Sequence, residues 1–493
     1  VLRLRYPEVE TAISMGYWFT TAPQIHDGVI YVGSTRSESR IPGGHVLAID
    51  AATGDVIWHF NTIPQDENDQ GWDIAGPTWV GGGREGGGIW ETPSIDPELG
   101  MLYVAVGNPF GDSTKRAGLN LFTDSILALS LETGQLEWYY QQVHHDVWEY
   151  DTVGPPTLGD ITVDGRRIKA VMQPSKTAFL YVLDRETGEP VWPIEERKVP
   201  QSIVPGERTS STQPFPTKPP PFDRQGITED DLIDFTPELR AEALEAVDSL
   251  VLGPLFTPPW PRSDDPAGKQ GTLTAPGGWG AGNWHTGAFD PETGIYYAVS
   301  HTMPTVWSVV PTTASSDATL AWATPQGEAQ RVPTPRPHGL PITKPPYGRI
   351  TALDLNRGEL AWMTANGDGP RYHPLLRDLD LPPLGIPNRP APLVTKTLLI
   401  VNSGARDVPS IEDVAATLTA AMLGLSAAPA MAGGQIAIGF APSDPDQAQA
   451  LGMGLQMFSL MQGLSASGAN GYQNGSGNSA GFDQNGSGNH GLI

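Results

Sequence analysis

HVLAIDAATGDVIW (residues 45–58) alternates apolar with small or polar residues, breaks at an acid-turn-glycine, and resumes to end on tryptophan. Alternation on both sides of a short glycine turn is the pattern of a β-hairpin. The same pattern returns as SILALSLETGQLEW (125–138), FLYVLDRETGEPVW (179–192) and RITALDLNRGELAW (349–362). In all four the tryptophan follows the glycine by four residues. A second hairpin form interleaves with these: SIDPELGMLYVAVGN (94–108) and AFDPETGIYYAVS (288–300). Repeated hairpins with a fixed signature predict a radial or solenoid β array. A tryptophan on the same strand of each unit can pack on the glycine of the next, so Trp58, Trp138, Trp192 and Trp362 read as structural.

The rest of the composition agrees. The 493 residues include 57 Gly and 48 Pro, and only 17% are charged, which suits many short strands and turns rather than a helical bundle. The net charge of −25 argues against nucleic acid or an anionic membrane as partner and is compatible with a bound cation or a basic protein. With no cysteine, disulfides, Cys-ligated zinc, iron–sulfur clusters and a CxxCH-attached haem are excluded. No segment reads as a membrane span, and the nearest, 414–441, is interrupted by Pro429.

Residues 195–270 interrupt the array. STQPFPTKPPPFDRQG (211–226) reads as an extended Pro-rich surface loop. In the following TPELRAEALEAV (236–247), Thr236 as N-cap and Pro237 at the first helical position predict a helix. An insertion of this size is expected to cover a site mouth. Past residue 403 the chain changes character. Residues 411–463 are rich in Ala, Met, Leu and Gly and suggest a loose helix or two. QNGSGN occurs twice in the Gly/Asn/Ser-rich end, and 464–493 reads as poorly ordered.

VHHDVWEYD (143–151) concentrates the chemistry. Metal site, catalytic site and turn are all open readings of its two histidines and three carboxylates. If 145–151 is extended, His145, Val147, Glu149 and Asp151 share one face and His144, Asp146, Trp148 and Tyr150 the other. Adjacent histidines do not easily chelate one ion, so zinc is disfavoured. Asp146 reads as a turn or hydrogen-bond anchor.

The tryptophan repeats, with VHHDVWEYD, MQPSKTAFLYVLDRETG (172–188) and LPPLGIPNRPAPLVTKTLL (381–399), resemble the pyrroloquinoline quinone (PQQ)-dependent dehydrogenases. The glucose- and polyol-oxidising quinoproteins look nearest, the methanol and ethanol enzymes more distant, and the match runs from about Tyr17 to Asn402. The resemblance implies an all-β fold, an eight-bladed β-propeller with tryptophan-docking blades and PQQ on the axis. The propeller would occupy residues 1–403 and is expected to be incomplete at both ends. It implies metal-assisted oxidation of an alcohol, polyol or aldose, a periplasmic location, and a separate quinone or cytochrome c as electron acceptor. Among the residues, Glu149 falls at the catalytic base position, where the family normally has Asp. Trp90 falls where a ring underlies the quinone, Lys176 beside the quinone oxygens, and Thr20, Thr35 and Asn283 at further cofactor contacts. Glu38 and Asn108 match the metal ligands, for Ca²⁺ or alternatively Mg²⁺ or a lanthanide. Asp151 matches an acid of lanthanide-dependent methanol dehydrogenases that membrane glucose dehydrogenases also carry. Two alternatives stand beside the enzyme: a propeller of the same ancestry serving as a binding scaffold, and an inactive, truncated quinoprotein.

Overall fold

The computed structural model describes residues 19–34, 41–285, 287–312, 322–323 and 331–402. By its internal contacts the chain divides into two units, residues 1–396 with 400–405, and 397–399 with 406–493. Every strand and helix up to residue 365 belongs to the first unit. The expectations for residues 404–493, including the loose helix and the glycine-rich end, lie outside the described residues, as do Thr35 and Glu38.

The first sheet is a four-stranded antiparallel meander of β1 (Gln24–His26), β2 (Val29–Gly33), β3 (His45–Asp50) and β4 (Val56–Asn61). Asp27-Gly28 joins β1 to β2 with both residues at positive φ, the turn that matches strand twist. Next come β5 (Glu85–Gly86), β6 (Ser94–Asp96), β7 (Met101–Ala105), β8 (Pro109–Phe110), β9 (Ser125–Ser130) and β10 (Leu136–Gln141). Of these, β6-β7-β9-β10 form the second sheet and β5-β8 a side ribbon. The third sheet is β11 (Thr157–Val163), β12 (Arg166–Pro174) and β13 (Leu180–Asp184), its first hairpin again turning on an Asp-Gly pair, Asp164-Gly165.

Two ribbon strands follow, β14 (Ile194–Lys198) and β15 (Thr212–Pro216), then α1 (Pro237–Val247). Thr236 caps α1, its hydroxyl accepting the Leu239 N–H at 3.2 Å, as the sequence predicts. The remaining strands are β16 (Leu250–Val251), β17 (Trp260–Pro261), β18 (Gly271–Thr274), β19 (Gly287–Asp290), β20 (Ile295–His301), β21 (Thr305–Pro311), β22 (Trp322–Ala323), β23 (Gly348–Asp354) and β24 (Glu359–Ala365). They build two sheets: β19-β20-β23-β24, which repeats the hairpin pattern, and β16-β18-β21-β17, with β22 added to β21.

The tryptophans join the repeating sheets in sequence. Trp58 Nε1 donates to Leu131 O at 3.0 Å, and a Cβ on Gly134 would come within 2.5 Å of the Trp58 ring. Trp138 stands in the same relation to Arg185 O (3.2 Å) and Gly188, and Trp192 lies against Gly358. The third sheet therefore abuts the β19–β24 sheet directly, and Ile161, Met172, Trp192, Phe289, Tyr296 and Leu353 share one core cluster. Trp362 departs from the reading: it is 43% exposed, and its ring contact among the described residues is with Tyr297.

Two expectations for 195–270 are corrected. The Pro-rich stretch is not a surface loop: Thr212–Pro216 pairs with Ile194–Lys198, Phe222 is buried, and buried Asp223 accepts from Ser300 and Thr302 and ion-pairs with Arg349. Its apolar ring and carboxylate have partners on β20 and β23 that a local reading does not reveal. The insertion also supplies no lining to the cavity around Trp90 and Glu149; β16 and β17 instead support β18 and β21, and β21 is that cavity's wall.

Candidate active site

Loops at the ends of successive sheets converge on a cavity of about 590 Å³. Its lining includes Thr20 before β1, Trp90 before β6, Glu149 between β10 and β11, Lys176 between β12 and β13, and Asn283 before β19. β21 and residues 331–334 complete the lining. Five sequence-predicted residues from five separate segments are thus brought together. A larger recess of about 760 Å³ beside α1 holds none of them.

The segment 143–151 is not extended. Asp146 Oδ1 accepts the Trp148 N–H and Oδ2 the Tyr150 N–H, each at 2.7 Å, so the backbone turns around this carboxylate. Trp148 and Tyr150 are buried on Phe256, and their polar tips donate to Thr257 O (2.9 Å) and Pro276 O (2.6 Å). The expected two-face alternation fails for that reason: His145 is fully buried, whereas Glu149 lines the cavity. Both residues have positive φ, 48° and 62°. A glutamate in the left-handed region costs about 1–2 kcal/mol and persists only where its surroundings enforce it. The histidines diverge. His145 Nδ1 donates to Gly118 O at 3.0 Å, and burial first, then Arg116, lowers its pKa to about 3. His144 contacts Gln141 and Glu196.

Lys176 and Asp151 form a buried ion pair, and Asp151 Oδ1 also accepts the Asn108 backbone N–H at 2.8 Å. Burial works against the lysine's charge, but Asp151, Glu149 and Asp146 outweigh it and the pKa is raised. Gly280, at φ +72°, leaves room for the lysine stem; a Cβ there would come within 2.4 Å of Lys176 Cγ. Asn283 is braced by its own loop, donating to Trp279 O and accepting from the Trp284 N–H, both at 2.8 Å.

Two buried acids escaped the sequence reading. Glu91 follows Trp90, and burial, with Asp151 adding to it and the Gly154 amide opposing, raises its pKa to about 8. Asp124 is raised well above the usual range by burial, then by Asp146 and Asp151. Trp279, Trp307 and Arg331 in the cavity wall were missed as well.

The cavity offers a broad indole face, a cation, an amide and a hydroxyl, a set that fits a planar, anionic quinone. Asn108 Oδ1 is buried without a hydrogen bond among the described residues and suits an oxygen-seeking cation. Among the described residues no group of three His, Asp or Glu side chains is placed to hold a metal, and of the expected ligands Glu38 lies outside them.

Successive antiparallel sheets whose connecting loops line one cavity are the arrangement of a β-propeller. The chain belongs to the PQQ dehydrogenase family: residues 3–412 match the glucose/ethanol/alcohol dehydrogenase β-propeller domain. It is 30% identical over 378 residues to the quinoprotein glucose dehydrogenase of Escherichia coli, covering 70% of this chain and 44% of that one. It is 28% identical over 428 residues to the glycerol dehydrogenase large subunit of Gluconobacter thailandicus, covering 79% and 55%. A solved quinohemoprotein alcohol dehydrogenase of Pseudomonas putida superposes with TM-score 0.50 at 24% identity over 78% of this chain and 49% of its own. A europium-containing methanol dehydrogenase does so with TM-score 0.50 at 20% identity, over 79% and 58%. The chain spans about half the length of the curated relatives it matches. Among the described residues no helix is long and apolar enough to cross a membrane.

Proposed function

We propose that the cavity binds PQQ and a metal ion and oxidises an alcohol, polyol or aldose, with Glu149 as general base. The observation that carries this reading is the convergence of Trp90, Glu149, Lys176 and Asn283 on one cavity of about 590 Å³. PQQ, with its cation, supplies the two-electron acceptor for hydride leaving the alcohol carbon. Glu149 takes the proton of the substrate hydroxyl at its carboxylate. Its strained backbone holds that carboxylate toward the cavity, where the expected Asp would be one methylene shorter. Lys176 presents positive charge to the reduced cofactor's oxygens, and Asp151 keeps that ammonium charged and in place. Trp90 provides the stacking face, and Thr20 and Asn283 bind the cofactor's polar edge. Asn108 would hold the metal through its free amide oxygen together with Glu38; calcium is the first choice, magnesium or a lanthanide the alternative. Asp151 divides its oxygens between Lys176 and the Asn108 N–H, so as a further metal ligand it would have to release one of them.

The same reading extends to the whole protein: residues 1–403 contribute blades, held by tryptophan docking, to a propeller of the family's eight-bladed kind, in the periplasm, passing electrons to a separate quinone or cytochrome c. Support for the docking comes from the three Trp–Gly contacts between successive repeats. The test is PQQ binding and dye reduction with Ca²⁺ and with La³⁺, using glucose, ethanol and methanol. Saturable PQQ binding with metal-dependent turnover is expected; no PQQ binding with either ion overturns the reading.

A further inference from the structure

The cavity lining carries donors beyond Thr20, Lys176 and Asn283. Arg331 lines the cavity and makes no hydrogen bond or ion pair with the described residues. In a chain with 55 acidic and 30 basic side chains, a guanidinium in a cavity lining with no carboxylate partner among the described residues is a conspicuous choice. The short segment that carries it is fixed along β21: Thr334 Oγ1 accepts the Val306 N–H and donates to Pro304 O, both at 3.3 Å. On the same wall the Trp307 indole N–H is buried and has no acceptor among the described residues. Trp279, half exposed in the lining, has the Arg389 guanidinium 4.7 Å from its ring centroid, and Arg389 likewise forms no ion pair among the described residues. Together with Glu149, the lining thus holds a guanidinium and an indole donor that have no partner among the described residues, and a second guanidinium stacks on its Trp279. A planar guanidinium recognises a carboxylate through two parallel hydrogen bonds.

We propose that this site is built for an alcohol that also carries a carboxylate, a hydroxy acid or sugar acid, with Arg331 taking the carboxylate while the hydroxyl faces Glu149. The proposal rests on the reading of the cavity as a PQQ alcohol dehydrogenase site. The quinone cofactor is itself a carboxylate source, so the two must be separated.

The experiment measures binding of gluconate and of sorbitol, which share a six-carbon polyol skeleton, to the apo-protein by calorimetry. PQQ binding is measured in parallel, for wild type and Arg331→Gln. Wild type is expected to bind gluconate more tightly than sorbitol, and Arg331→Gln to lose about tenfold for gluconate, with sorbitol and PQQ unchanged. In turnover, the variant should raise KM for the acid while leaving kcat and the KM of neutral polyols. Equal affinity for gluconate and sorbitol in both proteins overturns the proposal. So does a variant that loses PQQ and keeps gluconate, which would assign Arg331 to the cofactor's carboxylate. If the wild type binds no PQQ yet gluconate binding still depends on Arg331, the quinoprotein reading fails and the anion site stands.

Discussion

Lys176 is held by Asp151 in a buried ion pair whose acid also accepts the Asn108 backbone N–H at 2.8 Å. The pair ties the loop after β12 to the residue expected to ligate the metal, so cation, base and ligand loops are mechanically joined. Removing the lysine leaves a buried, uncompensated carboxylate. Lys176→Met is expected to destabilise the apo-protein by about 3–5 kcal/mol. The double variant with Asp151→Asn should recover most of that loss. Chemical denaturation of the three proteins checks this, and a double variant no more stable than the single would refute it.

Glu149 offers a second test, of activity rather than stability. Glu149→Gln is expected to lower kcat by about 10²–10⁴-fold while PQQ affinity is unchanged, because the carboxylate acts on the substrate proton. Glu149→Asp restores the residue usual in the family and should retain or raise turnover. Stopped-flow dye reduction with the PQQ-loaded protein distinguishes the three; a fully active Gln variant would remove Glu149 from the mechanism.

How much of the fold and site is legible in the sequence depends on the kind of signal. The repeat is legible because the glycine-to-tryptophan interval is invariant at Trp58, Trp138, Trp192 and Trp362; the contact also needs a following glycine, which Trp58, Trp138 and Trp192 find at Gly134, Gly188 and Gly358. The cavity residues Trp90, Glu149, Lys176 and Asn283 are legible through family motifs, not local pattern. The geometry of 143–151 is not: alternation assumes a strand, and Asp146 instead takes two backbone N–H groups and turns the chain. Glu91, Asp124 and Arg331 are invisible because an acid or arginine in a one-dimensional string carries no sign of what will surround it. The burial of Phe222 and Asp223 inside a Pro-rich stretch has the same origin, their partners lying about 80 to 130 residues away on β20 and β23.

Glu91 makes the apo-protein's stability depend on pH. Its carboxyl, raised to about 8 by burial, keeps its proton where the unfolded chain has lost it. Stability from this group therefore falls as pH rises from the ordinary carboxylate range to about 8, by at most about 1.4 kcal/mol per unit. Asp146, raised to about 6 mainly by burial, adds a slope of the same sign below that value. Glu91→Gln should reduce the fall of the denaturation midpoint across the whole range from about pH 4.5 to 8, leaving below pH 6 the part due to Asp146. Parallel profiles for variant and wild type would contradict it.

The contact between repeats can be separated from the backbone cost of its glycine. Gly134 has φ +69°, and a Cβ there would lie 2.5 Å from the Trp58 ring; Gly165, in the β11–β12 turn, has φ +78° and nothing within 4 Å of its added Cβ. Both alanine variants incur the left-handed backbone penalty of about 1 kcal/mol. Only Gly134→Ala also drives a methyl into a packed indole, adding about 1–3 kcal/mol. That displacement would pull Trp58 Nε1 from Leu131 O, a further loss of about 1 kcal/mol. Gly134→Ala should therefore lower the denaturant midpoint well beyond Gly165→Ala. If the two are equal, the indole yields freely, and the tryptophan contact is not what holds the first sheet to the second.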